Sequence, residues 1–171
     1  MIVGGSPGSG KTTLARALAG RLGLPLVAKD DLKESLADVL GAGDIARSRQ
    51  LGAATYAVMQ ALAARFVASG VSFLVEANFH RERSMTWLPE LLAHSDGRFV
   101  LCHASPEIVR ARFAGRMSAG GRHPVHLDAE ILQEEWPDPA EFDLDLGVPS
   151  LAVDTTSGYA PDLDSIVRFI A

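Results

Sequence analysis

The sequence predicts an α/β domain: a parallel sheet with helices on both faces. Three observations predict it. Short apolar runs alternate with longer helical patterns from end to end, and such alternation requires crossover connections and parallel pairing. A glycine-rich turn, Gly5–Gly10, joins the first run to the first helical pattern. The 171 residues suit one domain on the usual prior of ~100–200 residues, and no internal repeat, low-complexity segment or long linker divides them. The expected unit is one three-layer domain over residues 1–171.

Met1–Gly4 reads as a truncated first strand. Lys11–Leu22 follows as a helix, with Leu14, Leu18 and Leu22 at i, i+4 spacing and Gly23 as its stop. Pro25–Ala28 is a brief strand. Asp30–Leu40 is a helix with Leu32, Leu36, Val39 and Leu40 expected on one face. Asp44 caps a long helix ending near Ser69, before Gly70. Val71–Glu76 is a buried strand, and Arg81–His94 a helix interrupted near Pro89. Arg98–His103 is a strand, and Pro106 opens a helix running to about Met117. A Gly- and Arg-rich stretch, Ser118–His126, precedes a short helix from about Asp128. Ser150–Asp154 is the last strand and Asp162–Ile170 the closing helix.

Composition narrows function by exclusion. A formal charge of −5 argues against a chain that coats nucleic acid or anionic membrane. One cysteine, Cys102, excludes an internal disulfide and a cysteine-only metal site, and suits a reducing cytosol. No signal-like N-terminus and no run approaching ~20 apolar residues is read, so the expectation is a cytoplasmic protein without a membrane span. The 16 basic residues are 13 Arg and 3 Lys, and Arg favours bidentate phosphate and carboxylate contacts.

Gly5-Ser6-Pro7-Gly8-Ser9-Gly10-Lys11-Thr12 fits G-x-x-x-x-G-K-[ST] at every fixed position, after a strand and opening a helix. Glycines let successive N–H groups curl around an anion, and the helix points its positive end there. Lys11 is expected to bridge β- and γ-phosphates, Thr12 to ligate Mg²⁺, and Thr13 to complete the nucleotide site. The expected cofactors are therefore ATP and Mg²⁺. Lys29-Asp30-Asp31-Leu32-Lys33 lies just past the second strand, on the carboxyl edge where ligands collect. One of Asp30 and Asp31 can accept a proton from an acceptor hydroxyl while the other caps the helix.

Glu76 ends a hydrophobic strand at the same edge, where a metal-side acid sits in such proteins. It is a candidate ligand for a metal-bound water or for substrate, the alternative being a solvated or Arg-paired strand end. Asn78 and the following Phe79-His80-Arg81 are candidates to line an acceptor pocket. Arg110, Arg112, Arg116 and Arg122 fall in a stretch without an acidic residue, and Arg112 and Arg116 share a helix face. Arg116 is the candidate to contact phosphate from a lid over about 115–127, with Gly115, Gly120 and Gly121 as hinges. His123 and His126 lack a third ligand cluster for zinc, and are assigned hydrogen bonds within the lid or a substrate contact. From Asp128 to Asp145 there are eight acidic residues and no basic one. Such a run is ordinarily solvated; facing the cleft, it would favour a cationic substrate and oppose DNA or RNA.

These elements together resemble the small bacterial P-loop kinases grouped with AAA-type ATP-binding proteins, similar to zeta toxins, polynucleotide 5′-hydroxyl kinases and chloramphenicol phosphotransferases. The resemblance rests on Gly5–Thr12, Lys29–Lys33, Val75-Glu76-Ala77-Asn78-Phe79 and the Arg112/Arg116 lid. It implies a P-loop NTPase fold with a five-stranded parallel sheet in order 2-3-1-4-5. It implies Asp30 as general base with Lys33 beside it, Glu76 on the substrate side, and Arg116 as lid arginine helped by Arg112 or Arg122. It also places Thr155, after the last strand, near the adenine. No helical AAA+ second region follows, which excludes an oligomeric unfoldase.

The expected function is Mg-ATP-dependent phosphoryl transfer to a hydroxyl of a small molecule: an antibiotic, nucleoside, sugar or sugar nucleotide. A polynucleotide 5′-hydroxyl kinase is the alternative, disfavoured by the acidic run. A nucleotide-hydrolysing switch is the second, disfavoured because no N/T-K-x-D motif occurs. Nothing in the sequence identifies a protein partner.

Overall fold

The computed structural model describes residues 1–120, 122–127 and 137–170. Five strands form one sheet: β1 (Ile2–Gly5), β2 (Leu26–Ala28), β3 (Leu74–Glu76), β4 (Phe99–His103) and β5 (Ser150–Asp154). All pairings are parallel and the order is β2-β3-β1-β4-β5, as expected. The helices are α1 (Lys11–Leu22), α2 (Lys29–Leu40), α3 (Ile45–Ala68), α4 (Arg81–Ser84), α5 (Leu88–Ala93), α6 (Pro106–Ser118) and α7 (Leu163–Ile170). The short helix expected from about Asp128 falls outside the described residues.

Alternate side chains of the strands enter two separate cores, as a period of two requires. Ile2, Val75 and Phe99 pack with Met59 and Ala63 of α3 and Leu88 and Leu92 of α5. Val3, Leu74, Val100 and Cys102 pack on the other face with Leu14 and Leu18 of α1 and Ile166 of α7. Each fully buried aliphatic or aromatic side chain contributes roughly 1.5–3 kcal/mol. Cys102 is 1% exposed in this second core, and burial pushes its thiol up to about 12.

Several expectations are corrected. Val39 and Leu40, expected on the packed face of α2, are 83% and 53% exposed; the last turn of the helix projects past the core, which it meets through Ala37. The break in the Arg81–His94 segment falls at Met85–Trp87, before Pro89. Pro89 instead occupies the first turn of α5, where its missing N–H costs nothing. By length and composition α3 is long and apolar enough to cross a membrane, although Arg, Gln, Ser and Thr interrupt it and no run of ~20 apolar residues occurs, as expected. Its Leu51, Thr55, Met59 and Ala63 are nevertheless buried within the domain.

Register sets up the site. Glu76 lies beside Val3 on one side and Ala28 on the other, and Gly5 lies beside Cys102. The loops after β1, β2 and β3 therefore leave the sheet at a common level, on the carboxyl edge.

Candidate active site

The turn between β1 and α1 depends on glycine at φ values that other residues rarely adopt. Gly5 has φ 142° and Gly10 φ 79°, and a Cβ on Gly5 would stand 2.3 Å from the Cys102 carbonyl oxygen. Gly10 precedes α1 without any side-chain cap, and no acidic residue occupies the first turn. The first N–H groups of the helix therefore stay open to an anion. Ser9 Oγ is buried with no hydrogen-bond partner among the described residues, a further polar group turned into this loop.

The loop is braced from behind. The Thr155 hydroxyl donates to the Ser9 carbonyl at 2.7 Å. Arg112 donates to the Gly8 carbonyl at 3.3 Å, to Thr155 Oγ1 at 3.1 Å, and to the Thr155 carbonyl. Both residues were expected to touch nucleotide. They do border a cavity of about 610 Å³ with Gly10, Thr13, Arg116 and Tyr159, but their polar atoms are committed to holding the loop.

Lys11 lies buried across the loop with Nζ donating to the Ser6 carbonyl at 3.3 Å. Burial lowers its pKa, against the opposing charges of Glu76 and Asp30. Thr12 donates to Glu76 Oε1 at 3.2 Å. Glu76 is only 2% exposed; burial raises its pKa, Lys11 and the Thr12 hydrogen bond oppose this, and Asp30 adds to it. Neither buried charge is fully compensated by the other, which leaves the pair receptive to an added anion and cation. Two adjacent hard oxygen donors fit Mg²⁺, which takes few protein ligands beside phosphate and water. Among the described residues no cluster of three His, Cys, Asp or Glu could hold a metal alone.

Asp30 and Asp31 both lie in the first turn of α2, whose cap is Ala28 without a side-chain bond. Neither is therefore the N-cap. Asp31 pairs with Arg16 at 2.8 Å on the exposed side. Asp30 Oδ1 accepts from Lys29 Nζ at 3.0 Å, and Oδ2 stands 3.6 Å from Arg122 Nη2. Burial alone would raise the Asp30 pKa, but the charges of Lys29, His126 and Lys11 and the Lys29 hydrogen bond outweigh it. The carboxyl is held well below the usual carboxylate range. Lys29 is the residue that sequence reasoning missed, although it adjoins Asp30 in the chain.

A cavity of about 860 Å³ brings Pro7, Lys11, Thr12, Thr13, Asp30, Asn78, Arg116, Arg122 and His123 together. Asn78 Oδ1 is buried there without a partner among the described residues, while its carbonyl accepts from Tyr56 at 2.7 Å. Arg116 is exposed at the cavity wall, with its guanidinium carbon 5.2 Å from the Phe113 ring centroid. His123 borders the cavity, but its Nδ1 accepts from the Val125 N–H and its Nε2 faces Asp38, both at 3.1 Å.

Other expected residues stand elsewhere. Lys33 is buried, its Nζ donating to Ser48 Oγ at 2.8 Å and the Val125 carbonyl at 3.2 Å. It borders a separate cavity that Lys29 also lines. His80 bonds Glu141, Arg81 donates to the Ala140 and Asp143 carbonyls, and Phe79 is core. They dock the segment after Asp138 and do not line the acceptor side. Gly115 lies inside α6 and is no hinge; Gly120, at φ 65°, follows the helix. Gly121 and the acidic residues from Asp128 to Glu135 lie outside the described residues.

Comparison with known proteins places this geometry. The model of the AAA domain family matches residues 1–135. A candidate kinase from Chloroflexus aurantiacus superposes with a TM-score of 0.82 at 35% identity, over 99% of this chain and 94% of its own. An APS kinase from Mycobacterium tuberculosis, solved with AMPPNP and APS, superposes at 0.59 and 15% identity over 99% and 95%. A gluconokinase from Sinorhizobium meliloti superposes at 0.52 and 23% over 98% and 86%. The last two share the fold. No curated protein matches the sequence. The matched family and the P-loop kinase fold lead to one assignment: the chain belongs to the AAA domain family, as a small P-loop kinase.

Proposed function

We propose that the protein is a Mg-ATP-dependent phosphotransferase that moves the γ-phosphate to a hydroxyl of a small molecule. The observation that carries this reading is the shared 860 Å³ cavity, in which the Asp30 carboxylate faces Lys11 and Thr12 of the phosphate loop. A hydrolytic switch needs no such carboxylate on the acceptor side. The whole of residues 1–171 is read as one kinase domain, because β5 and α7, beyond the matched range, belong to the same sheet and core.

In this reading the loop N–H groups and the α1 N-terminus bind the phosphates. The Lys11 ammonium supplies positive charge between β- and γ-phosphate, whose negative charge offsets the burial that disfavours its charged form. Thr12 Oγ1 would hold Mg²⁺ and Glu76 would hold one of its waters. The metal, when bound, neutralises charge on the phosphate oxygens. Lys29 fixes Asp30 Oδ1, so Oδ2 receives the acceptor O–H. An ionised carboxylate orients the hydroxyl and takes its proton as the hydroxyl oxygen bonds to the γ-phosphorus, the bond from that phosphorus to the bridging oxygen breaks and ADP leaves. Asn78 Oδ1, without a partner among the described residues, can accept from a second hydroxyl of the compound. Arg116, with Arg122 near Asp30, covers the transferring group and excludes water.

The test is transfer from γ-labelled ATP to a panel of alcohol-bearing antibiotics, nucleosides, sugars and 5′-hydroxyl oligonucleotides. The reading expects a labelled small-molecule product. Water as the sole acceptor across the panel would overturn it.

A further inference from the structure

We infer that Ser48 and Lys33 are positioning residues for phosphoryl transfer: they clamp residues 122–127 to α2 and α3, and so set where Arg122 meets Asp30. This rests on the kinase reading above and adds to it a role for two residues away from the reacting atoms. The segment has little means of holding its own place. Its regular part is one 3₁₀ turn, Pro124–His126. The His126 N–H donates to the His123 carbonyl at 3.2 Å and the Leu127 N–H to the Pro124 carbonyl at 3.3 Å, and so short a turn has little stability of its own. Leu127 follows at φ 50°, a conformation that a bulky side chain keeps only where its surroundings impose it.

What imposes it is a clamp built from the two helices. Ser48 of α3 donates to the Val125 carbonyl at 2.7 Å. Lys33 of α2 donates both to Ser48 Oγ at 2.8 Å and to that same carbonyl at 3.2 Å. All three residues are buried, and the Val125 side chain packs with Ala37 and Leu51. An ammonium is costly to bury, and replacing a buried charge by an apolar group of similar volume is often neutral for stability. What the ammonium adds is direction, for it ties the segment to the helix that carries Asp30. On α2, Asp30, Glu34 and Asp38 recur at i, i+4 and i+8 and so share a face. Each meets a basic side chain of the segment: Arg122 Nη2 at 3.6 Å, His126 Nε2 at 2.7 Å and His123 Nε2 at 3.1 Å. The base and the clamp sit one turn apart on one helix, so α2 itself sets the distance between Asp30 and Arg122. Residues 122–127 of the expected lid are in this way a fixed wall of the site. A guanidinium held there steadies the Asp30 charge, and its reach toward the transferring phosphoryl depends on that placement.

The test uses the full chain, Mg-ATP and the acceptor that transfer to the panel identifies. Ser48→Ala should lower kcat about tenfold or more, since displacement by about 1 Å can cost up to about 10²-fold, and should leave KM for ATP unchanged. Ser48→Thr, which keeps the hydroxyl, should recover most of the loss. With Arg122→Ala in place, Ser48→Ala should lower kcat no further, because a residue that acts through Arg122 then has nothing to position. Lys33→Met carries the same cycle as a second variant, with melting temperature as the control on folding. Amide hydrogen exchange across 122–127 in the free protein should quicken in Ser48→Ala. An unchanged kcat in both Ser48→Ala and Lys33→Met, the same fold loss with and without Arg122, or unchanged exchange across 122–127 would overturn the inference. A wild type that transfers to no member of the panel would instead refute the kinase reading, and the positioning role with it.

Discussion

Replacing Glu76 by glutamine should stabilise the free protein and weaken its hold on Mg-ATP. Glu76 is 2% exposed, and its bond from Thr12, 3.2 Å, survives in glutamine, whose Oε1 also accepts. What changes is the charge. Burial raises the Glu76 pKa above 4.5 in the fold despite Lys11, so the folded state binds the proton more tightly than the unfolded one. Its contribution to stability is present below about 4.5 and is lost as pH rises through the folded value. Glutamine mimics the protonated form. The variant should match the wild type near pH 4 and exceed it at neutral pH by about 1 kcal/mol, typical for removal of such a cost. For a domain of this size that is roughly 2–4 °C in melting temperature. With Mg²⁺ and an ATP analogue the order should reverse, because losing a group that orients metal water costs about 10–100-fold in affinity. Thermal melts from pH 4 to 8, with and without Mg-analogue, supply the readout. A lower neutral-pH melting temperature with undiminished Mg-analogue stabilisation would refute the reasoning.

Two further outcomes follow from the braces and the core. Thr155→Val removes a 3%-exposed hydroxyl that donates to Ser9 and accepts from Arg112. It should cost about 1–3 kcal/mol of stability and weaken analogue binding by loosening the loop; weaker binding with an unchanged melting temperature would make Thr155 a nucleotide contact and not a brace. Cys102, 1% exposed with its thiol pushed up to about 12, should resist alkylation at pH 8 in the native protein and react at once in denaturant. A fast native reaction would contradict its place in the core.

The features legible in the sequence are those whose cause is local. The loop Gly5–Thr12, the span Lys11–Leu22 and the Asp44 cap of α3 each depend on residues within a turn or two of one another. The sheet order followed from resemblance. What escaped depends on tertiary meetings. Nothing near Arg112 says that it reaches Thr155, forty-three positions away. Lys33 turns inward because Ser48 and the Val125 carbonyl await it from other segments. Val39 and Leu40 fit the helical period, yet their side chains stay exposed among the described residues. The cavity bordered by Lys29 and Lys33 was invisible for the same reason, although Arg49, Ala53, Tyr56 and Gln60 recur along one face of α3. That mixed stripe, wrong for a core face, was the available signal.

The central claim is that Asp30 activates the acceptor hydroxyl without being needed for nucleotide binding. Single-turnover transfer of γ-phosphate by Asp30→Ala, set beside its affinity for Mg-ATP analogue, tests it most directly. The account predicts a fall in transfer of about 10²–10⁴ with analogue affinity near that of the wild type. Transfer at the wild-type rate would contradict it.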